Sequence, residues 1–304
     1  MAGLRERMFA GASRKPNERR WSTAVAFRGM RTVRPKREEL PHDAPLRRTI
    51  EADVIPRLVL AHPLAPRRQE ISPAHGSVPD SDRIASFAEL ILAADQEAAC
   101  AHIEALRAHG ARLETIYLDL VAPTASYLRY LWNADLYDFA EITLALWRLQ
   151  QVVRGFGAAF RGEGNRRETG RRALLVPGPN AKHELPYLMF GLVMVGEFLR
   201  RDGWDTWIEP DPSSRDFAEI IRSHWFDVVE FLVSGNNRLD MLASTIRLVR
   251  RQSPNQAVGV ILSGQVFVEN PELVLLVGGD ITAIDACQSA AQAQRLVSLL
   301  SAHT

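Results

Sequence analysis

A single histidine, His183, stands in a short loop where a predicted strand gives way to a predicted helix. The apolar run 173–176 enters this loop, and an apolar pattern of helical spacing, 185–199, leaves it. In an open α/β sheet, ligands bind in loops at the carboxyl ends of the strands. Because a neutral imidazole is the commonest side-chain ligand of transition metals, His183 is predicted to bind a metal. The alternative is an idle histidine of a polar loop.

The familiar catalytic motifs are missing from the sequence. Neither GxGxxG after the first strand nor GxxxxGKS/T occurs, which argues against those two kinds of nucleotide site. The absence of GxSxG argues against acyl transfer. Cys100 and Cys287 stand far apart without a CxxC or Cys/His cluster, so neither a zinc site nor a disulfide framework is indicated. We therefore expect a binding protein and not an enzyme.

The elements that must position His183 lie in residues 172–304. Five strand-like runs alternate there with five helix-like runs, which predicts an α/β fold with a flavodoxin-like, five-stranded parallel sheet. The third run, 227–234, is almost continuously apolar, as in a strand covered on both faces. The third and fourth runs end in Ser234 and in Ser263-Gly264, which the sheet would bring to the same edge as His183.

Residues 83–160 are predicted to form an all-α helical bundle, because every apolar pattern there has helical spacing. Trp132 lies at a junction between two helices, where an aromatic ring can face a neighbouring domain or a flat ligand. A place in the bundle core is the alternative for this ring. The polar, Gly-containing stretch 161–171 is interpreted as a linker.

Residues 1–82 are interpreted as a disordered basic arm, one amphipathic helix over 46–62 and a Pro-rich linker. The first 50 residues have a net charge of +8, against +1 for the whole chain of 304 residues. Such an arm predicts weak, salt-sensitive contact with DNA or with an acidic partner. The chain contains neither a secretory signal nor an apolar run of membrane-spanning length, and only two cysteines. These features predict a cytoplasmic protein without membrane contact.

A helical bundle, a linker and a flavodoxin-like sheet with a histidine in its first loop together resemble the cobalamin-binding module. In that module the loop reads Asp-x-His-x-x-Gly, and the histidine is the lower axial ligand of cobalt. His183 matches the ligand, whereas Ala181 replaces the Asp and Pro186 replaces the Gly. Since the Asp normally orients the imidazole, the resemblance implies weak or switchable ligation here. Glu184 and Asn180 are the candidates to replace it.

The same resemblance implies roles for the other strand-end residues. Ser234, within Leu232-Val233-Ser234, would stand for the Ser/Thr-x-Leu of the third strand. Ser263 and Gly264 would stand for the Gly-Gly after the fourth strand. Both groups would line the groove for the nucleotide tail of cobalamin. The helical bundle would cover the upper face of the corrin, with Trp132 facing the ligand.

Three segments resemble the AerR/PpaA proteins of purple photosynthetic bacteria. They are Thr49–Leu58, Asp138-Phe139 with Leu146–Gln150, and Gln265–Val274. This resemblance covers about residues 46–300 and implies a cobalamin-binding antirepressor that acts on a CrtJ/PpsR-type transcriptional repressor. A related domain binds heme instead, so a heme sensor that uses His183 is the second hypothesis. A scaffold without ligand and a corrinoid carrier of a methyltransferase are the third and fourth.

Overall fold

The computed structural model describes residues 81–164, 168–235 and 238–302. The predicted basic arm, the amphipathic helix over 46–62 and the linker up to residue 80 therefore lie outside the described residues. The last two residues of the predicted linker, Ser81 and Asp82, begin a helix. Within the described residues, an all-α part is followed by alternating strands and helices, which confirms the predicted fold class. None of the described helices is both long enough and apolar enough to cross a membrane.

The first part of the fold is a helical bundle. Its helices are α1 (Ser81–Leu92), α2 (Gln96–Ala108), α3 (Leu113–Ile116), α4 (Ala122–Asn133) and α5 (Phe139–Gly162). A π-helical segment, Tyr117–Val121, joins α3 to α4, and the N–H of Ala122 bonds the carbonyl of Tyr117 five residues back. The next residue, Pro123, has no N–H to donate. The π-helical segment is thus a change of helical register just before the proline.

The described residues of the second part, from 168 on, form a sheet and six helices. The strands are β1 (Arg172–Pro177), β2 (Asp205–Ile208), β3 (Val228–Leu232), β4 (Gly259–Ser263) and β5 (Ile281–Ala283). The helices are α6 (Leu185–Arg201), α7 (Arg215–Ser223), α8 (Leu239–Gln252), α9 (Gln265–Glu269), α10 (Glu272–Val277) and α11 (Ala286–Ser301). All neighbouring strands are parallel, in the order β2-β1-β3-β4-β5. The short helix α9, directly after β4, was not predicted.

Alternating side chains of the strands supply two cores. Leu174 and Val176 of β1 pack on the face covered by α7 and α8, whereas Leu175 packs on the opposite face. That opposite face shares one continuous apolar core with the helical bundle. The helical bundle is therefore attached to the sheet through buried apolar contacts, as well as by the chain connection.

Helix α5 of the bundle packs closely against α6. A Cβ at Gly157 would lie 2.7 Å from Oε2 of Glu197, so glycine permits this approach. Glu197 is 3% exposed. Its carboxylate pairs with Arg161 of α5 at 2.9 Å and with Arg200 at 2.8 Å. Two charged partners offset the cost of burying this carboxylate at the helix contact.

Candidate functional site

The loop that carries His183 is fixed at its start by β3. The N–H of Gly178 donates to the carbonyl of Leu232 over 2.7 Å. A Cβ at Gly178 would lie 3.2 Å from Cγ2 of Val233, so the close approach favours glycine. Asn180 then turns the chain with a φ of 61°. The loop presents His183 in an exposed position between the end of β1 and the start of α6.

A cleft of about 270 Å³ opens on the sheet side of this loop. It lies between the loop after β1 and the loop after β3. Its polar lining consists of Lys182, His183, Glu184, Ser234 and Arg238, together with Asn180. The structure thus brings two predicted site residues, His183 and Ser234, to one cleft at the carboxyl edge of the sheet.

The helical bundle meets the loop from the other side. The Phe139 ring, at the start of α5, lies edge-on to the His183 ring, with 6.3 Å between their centroids. Trp132, near the end of α4, lies 5.9 Å from Phe139. These three residues line an apolar hollow together with Tyr187. The Arg129 guanidinium lies over the Tyr187 ring, with its Cζ atom 4.6 Å from the ring centroid. Trp132 therefore lies at the contact between bundle and sheet, on the side of His183.

Glu184 follows His183 and lines both the cleft and the hollow. Its Oε2 atom is buried, and within the described residues it has no hydrogen-bond partner. An unpaired buried acceptor costs free energy until a donor arrives. A donor on a bound ligand or on a neighbouring side chain would satisfy this atom. Glu184 thus stays a candidate for the orienting role that Ala181 cannot perform.

Ser263 and Gly264 lie at the end of β4, as expected, but outside the cleft and the hollow around His183. The Ser263 hydroxyl is buried and donates to Oε1 of Glu230 over 2.5 Å. Ser289 of α11 donates to Oε2 of the same carboxyl group. Burial raises the pKa of Glu230 well above its usual value, although both serine hydrogen bonds act against this shift. Neither Ser263 nor Gly264 lines the cleft or the hollow around His183.

Gly264 has a structural reason of its own. Its φ is 132°, and a Cβ there would lie 1.8 Å from the carbonyl oxygen of Val233. Only glycine allows the chain leaving β4 to approach the chain leaving β3 this closely. The close approach holds the end of β3, and with it Ser234, in place beside the His183 loop.

Two residues important to this region were not among the predicted site residues. Phe139 belongs to an aromatic-rich stretch, 127–147, of a kind typical of a bundle core, yet it is 43% exposed and contacts His183. The available signal was its position directly after Asp138, which caps α5. Glu230 was overlooked because its neighbours make the strand read as apolar. The available signal was a lone acid within Val228–Leu232.

Comparisons with known proteins agree with this architecture. A protein of Rhodobacter capsulatus, described as an uncharacterized 20.5 kDa protein in the bchF-crtJ intergenic region, is 22% identical over 179 residues. The match covers 59% of this chain and 90% of that protein. The monomethylamine corrinoid protein of Methanosarcina barkeri superposes with a TM-score of 0.54 and 10% identity. This superposition covers 71% of this chain and 99% of that chain, and it shows a shared fold. No family model matches the sequence.

The side chains around His183 suit a metal held in a macrocycle by their chemistry, but the hollow as it stands has no room for the macrocycle. Within the described part of the chain, no group of three or more His, Cys, Asp or Glu side chains could hold a metal ion. A lone imidazole can still complete the coordination of a metal whose other ligands come from a tetrapyrrole. The hollow between Phe139 and His183 measures about 10 Å³, room for about one water. A tetrapyrrole would require the bundle end and the loop to separate.

Proposed function

We propose that this protein is a cofactor-responsive transcriptional regulator that binds cobalamin between its helical bundle and its α/β part. His183 would hold this cofactor through a bond from its imidazole to cobalt. The main support is the juxtaposition of His183, at the carboxyl end of β1, with Phe139 and Trp132 of the bundle. When bound, cobalamin supplies a metal centre whose axial ligands change with its state. The rings of Phe139 and Trp132 pack against the macrocycle.

The proposed regulation depends on a contact that a ligand must alter. Phe139 begins α5, and α5 is the long helix that packs on α6. Insertion of a flat ligand between Phe139 and His183 would move the start of α5 relative to the sheet. A surface on the helical bundle thereby reports the occupancy of the site. A ligand shifts such an equilibrium only through its different affinity for the two arrangements.

An antirepressor of a CrtJ/PpsR-type repressor is the regulator that we propose. It is supported by the resemblance to AerR/PpaA proteins at Asp138-Phe139, Leu146–Gln150 and Gln265–Val274. It is also supported by the relative described as lying in the bchF-crtJ intergenic region. Ala181 in place of an orienting Asp favours a switchable ligand over one that is held permanently. A sensor needs such reversibility, whereas a corrinoid carrier does not.

Heme is the second candidate ligand, because one imidazole on a loop also suits the axial position of heme iron. A titration separates the two ligands. Wild type and His183→Ala are titrated with hydroxocobalamin and with hemin, and the absorption spectrum is recorded. His109→Ala is the matched control, because His109 is also exposed and lies on the bundle at the end of α2. We expect hydroxocobalamin to bind wild type and the control, with at least about a tenfold loss for His183→Ala.

The regulatory step is tested by capture of a purified CrtJ/PpsR-type repressor, with and without cobalamin. Capture that depends on cobalamin in wild type, and that no longer does so in His183→Ala, is the expected result. Binding, spectra and capture that are indifferent to His183→Ala would refute the ligand assignment. A spectral change with hemin alone would replace cobalamin by heme and leave the axial role of His183 intact. Binding without any capture would leave a cofactor protein that does not act on this class of repressor.

A further inference from the structure

Helix α5 has a second apolar face that the fold leaves exposed. Leu144 and Trp147 are 52% and 53% exposed, and they lie one turn apart on this face. Gln151, Gly155 and Ala158 continue the same stripe, because each follows its predecessor by three or four residues. None of these five side chains is charged. Large exposed apolar side chains in adjacent turns are typical of an interaction surface.

Gly155 is the feature that the protein's own packing does not explain. Glycine in a helix interior costs about 1 kcal/mol relative to alanine. Among the described residues, a Cβ at Gly155 would meet no heavy atom within 4 Å. Gly157, two residues on, is different, because a Cβ there would lie 2.7 Å from Glu197. The space above Gly155 is therefore open to another molecule.

We propose that a second copy of this chain packs antiparallel on α5, about a two-fold axis at Gln151. The steps along the stripe are 3, 4, 4 and 3 residues, which read the same in both directions. Antiparallel packing about Gln151 then brings Trp147 of each copy against Gly155 of the other. Leu144 likewise meets Ala158. Each large side chain faces a small one, so the surface is complementary to itself, as a two-fold interface requires.

The length of the stripe sets the strength of the dimer. From Leu144 to Ala158 the stripe spans about 21 Å at 1.5 Å per residue. A single helix pair of this length buries less than the roughly 1,000 Å² expected of a stable interface. The dimer is therefore reversible and depends on protein concentration.

The first test exchanges the large and the small residue. Full-length wild type, Trp147→Gly, Gly155→Trp and the double variant are compared by sedimentation velocity over about 1–200 µM. Each single change weakens dimerisation at least about tenfold, because Trp147 loses its pocket or meets a second tryptophan. The double variant restores dimerisation to within about threefold of wild type, since the exchange recreates the same pair. Circular dichroism verifies that each variant is folded.

Trp225→Gly is the matched control, because Trp225 is also half exposed, at 51%, but precedes β3 and does not belong to α5. This control dimerises like wild type. The proposal is overturned if wild type stays monomeric throughout the range, or if the single changes leave dimerisation intact. It is also overturned if the double variant behaves no better than the singles, because complementarity then plays no part.

A cross-linking experiment tests the direction of packing. Cysteines are placed at Gln151 or at Ala140, in a background with Cys100 and Cys287 changed to serine, and a short bis-maleimide is added. Antiparallel packing brings the two 151 positions together, whereas the two 140 positions lie about 33 Å apart. A covalent dimer forms only with Gln151→Cys. Equal cross-linking of both would indicate parallel packing, and cross-linking of neither would indicate another occupant. Either result overturns the proposal.

Discussion

The buried Glu230 should make the free energy of unfolding depend on pH, and this dependence can be measured directly. Its side chain is fully buried, and its carboxyl oxygens accept hydrogen bonds from Ser263 and Ser289. Burial raises the pKa of this group in the folded protein. In the unfolded chain a glutamate ionises near its ordinary pKa of about 4.3. Above that pH, the unfolded chain releases a proton that the folded protein keeps.

The sign and size of the effect follow from this difference. The stabilisation from Glu230 is complete below the unfolded pKa and is lost as the pH rises toward the folded pKa. Over that interval the free energy of unfolding falls by up to about 1.4 kcal/mol per pH unit. Glu230→Gln removes the titrating proton and offers one acceptor and one donor, as a protonated carboxyl group does, so one of the two serine hydroxyls accepts in place of donating. We therefore expect its stability relative to wild type to improve with rising pH.

The assay is urea unfolding of wild type and Glu230→Gln at pH 5, 6, 7 and 8. The difference between their unfolding free energies should grow with pH in favour of the variant. Glu219→Gln, an exposed glutamate of α7, tests whether the loss of any carboxylate has this effect. Parallel pH profiles for wild type and Glu230→Gln would refute the reasoning. They would mean that the carboxyl group is charged in the folded protein despite its burial.

Three further outcomes are expected. Gly264→Ala should destabilise the fold by about 3 kcal/mol or more in urea unfolding, because its Cβ would collide with the Val233 carbonyl. Unchanged stability would contradict the close approach of the two chains. Asp138→Ala should cost about 1 kcal/mol, because Asp138 caps α5, and Asp138→Asn should recover most of it in the same assay. Burial raises the pKa of Cys287 to about 11. In a Cys100→Ser background at pH 8.5, iodoacetamide should therefore alkylate Cys287 roughly a hundredfold more slowly than a free cysteine. Rapid alkylation of Cys287 would contradict this burial.

Local sequence patterns were sufficient for the elements and their class. Alternating apolar runs predicted five parallel strands, and the run before His183 predicted its position after β1, as observed. Such patterns are local, because strand and helix periodicity can be read within a few residues. The same locality explains the error at α9, where five residues after β4 are too short to show a helical period.

The sequence also predicted that His183 and Ser234 lie at the same edge of the sheet, because the carboxyl ends of parallel strands meet there. Only the tertiary structure decided which distant side chains join them. Phe139 and Glu230 contact residues 44 and 59 positions further along the chain, His183 and Ser289 respectively. Such contacts depend on how the helical bundle and α11 pack on the sheet, and no local pattern encodes that packing. For Ser263, the sequence correctly predicted a position at the end of a strand. It did not predict that the hydroxyl turns inward and donates to the buried Glu230.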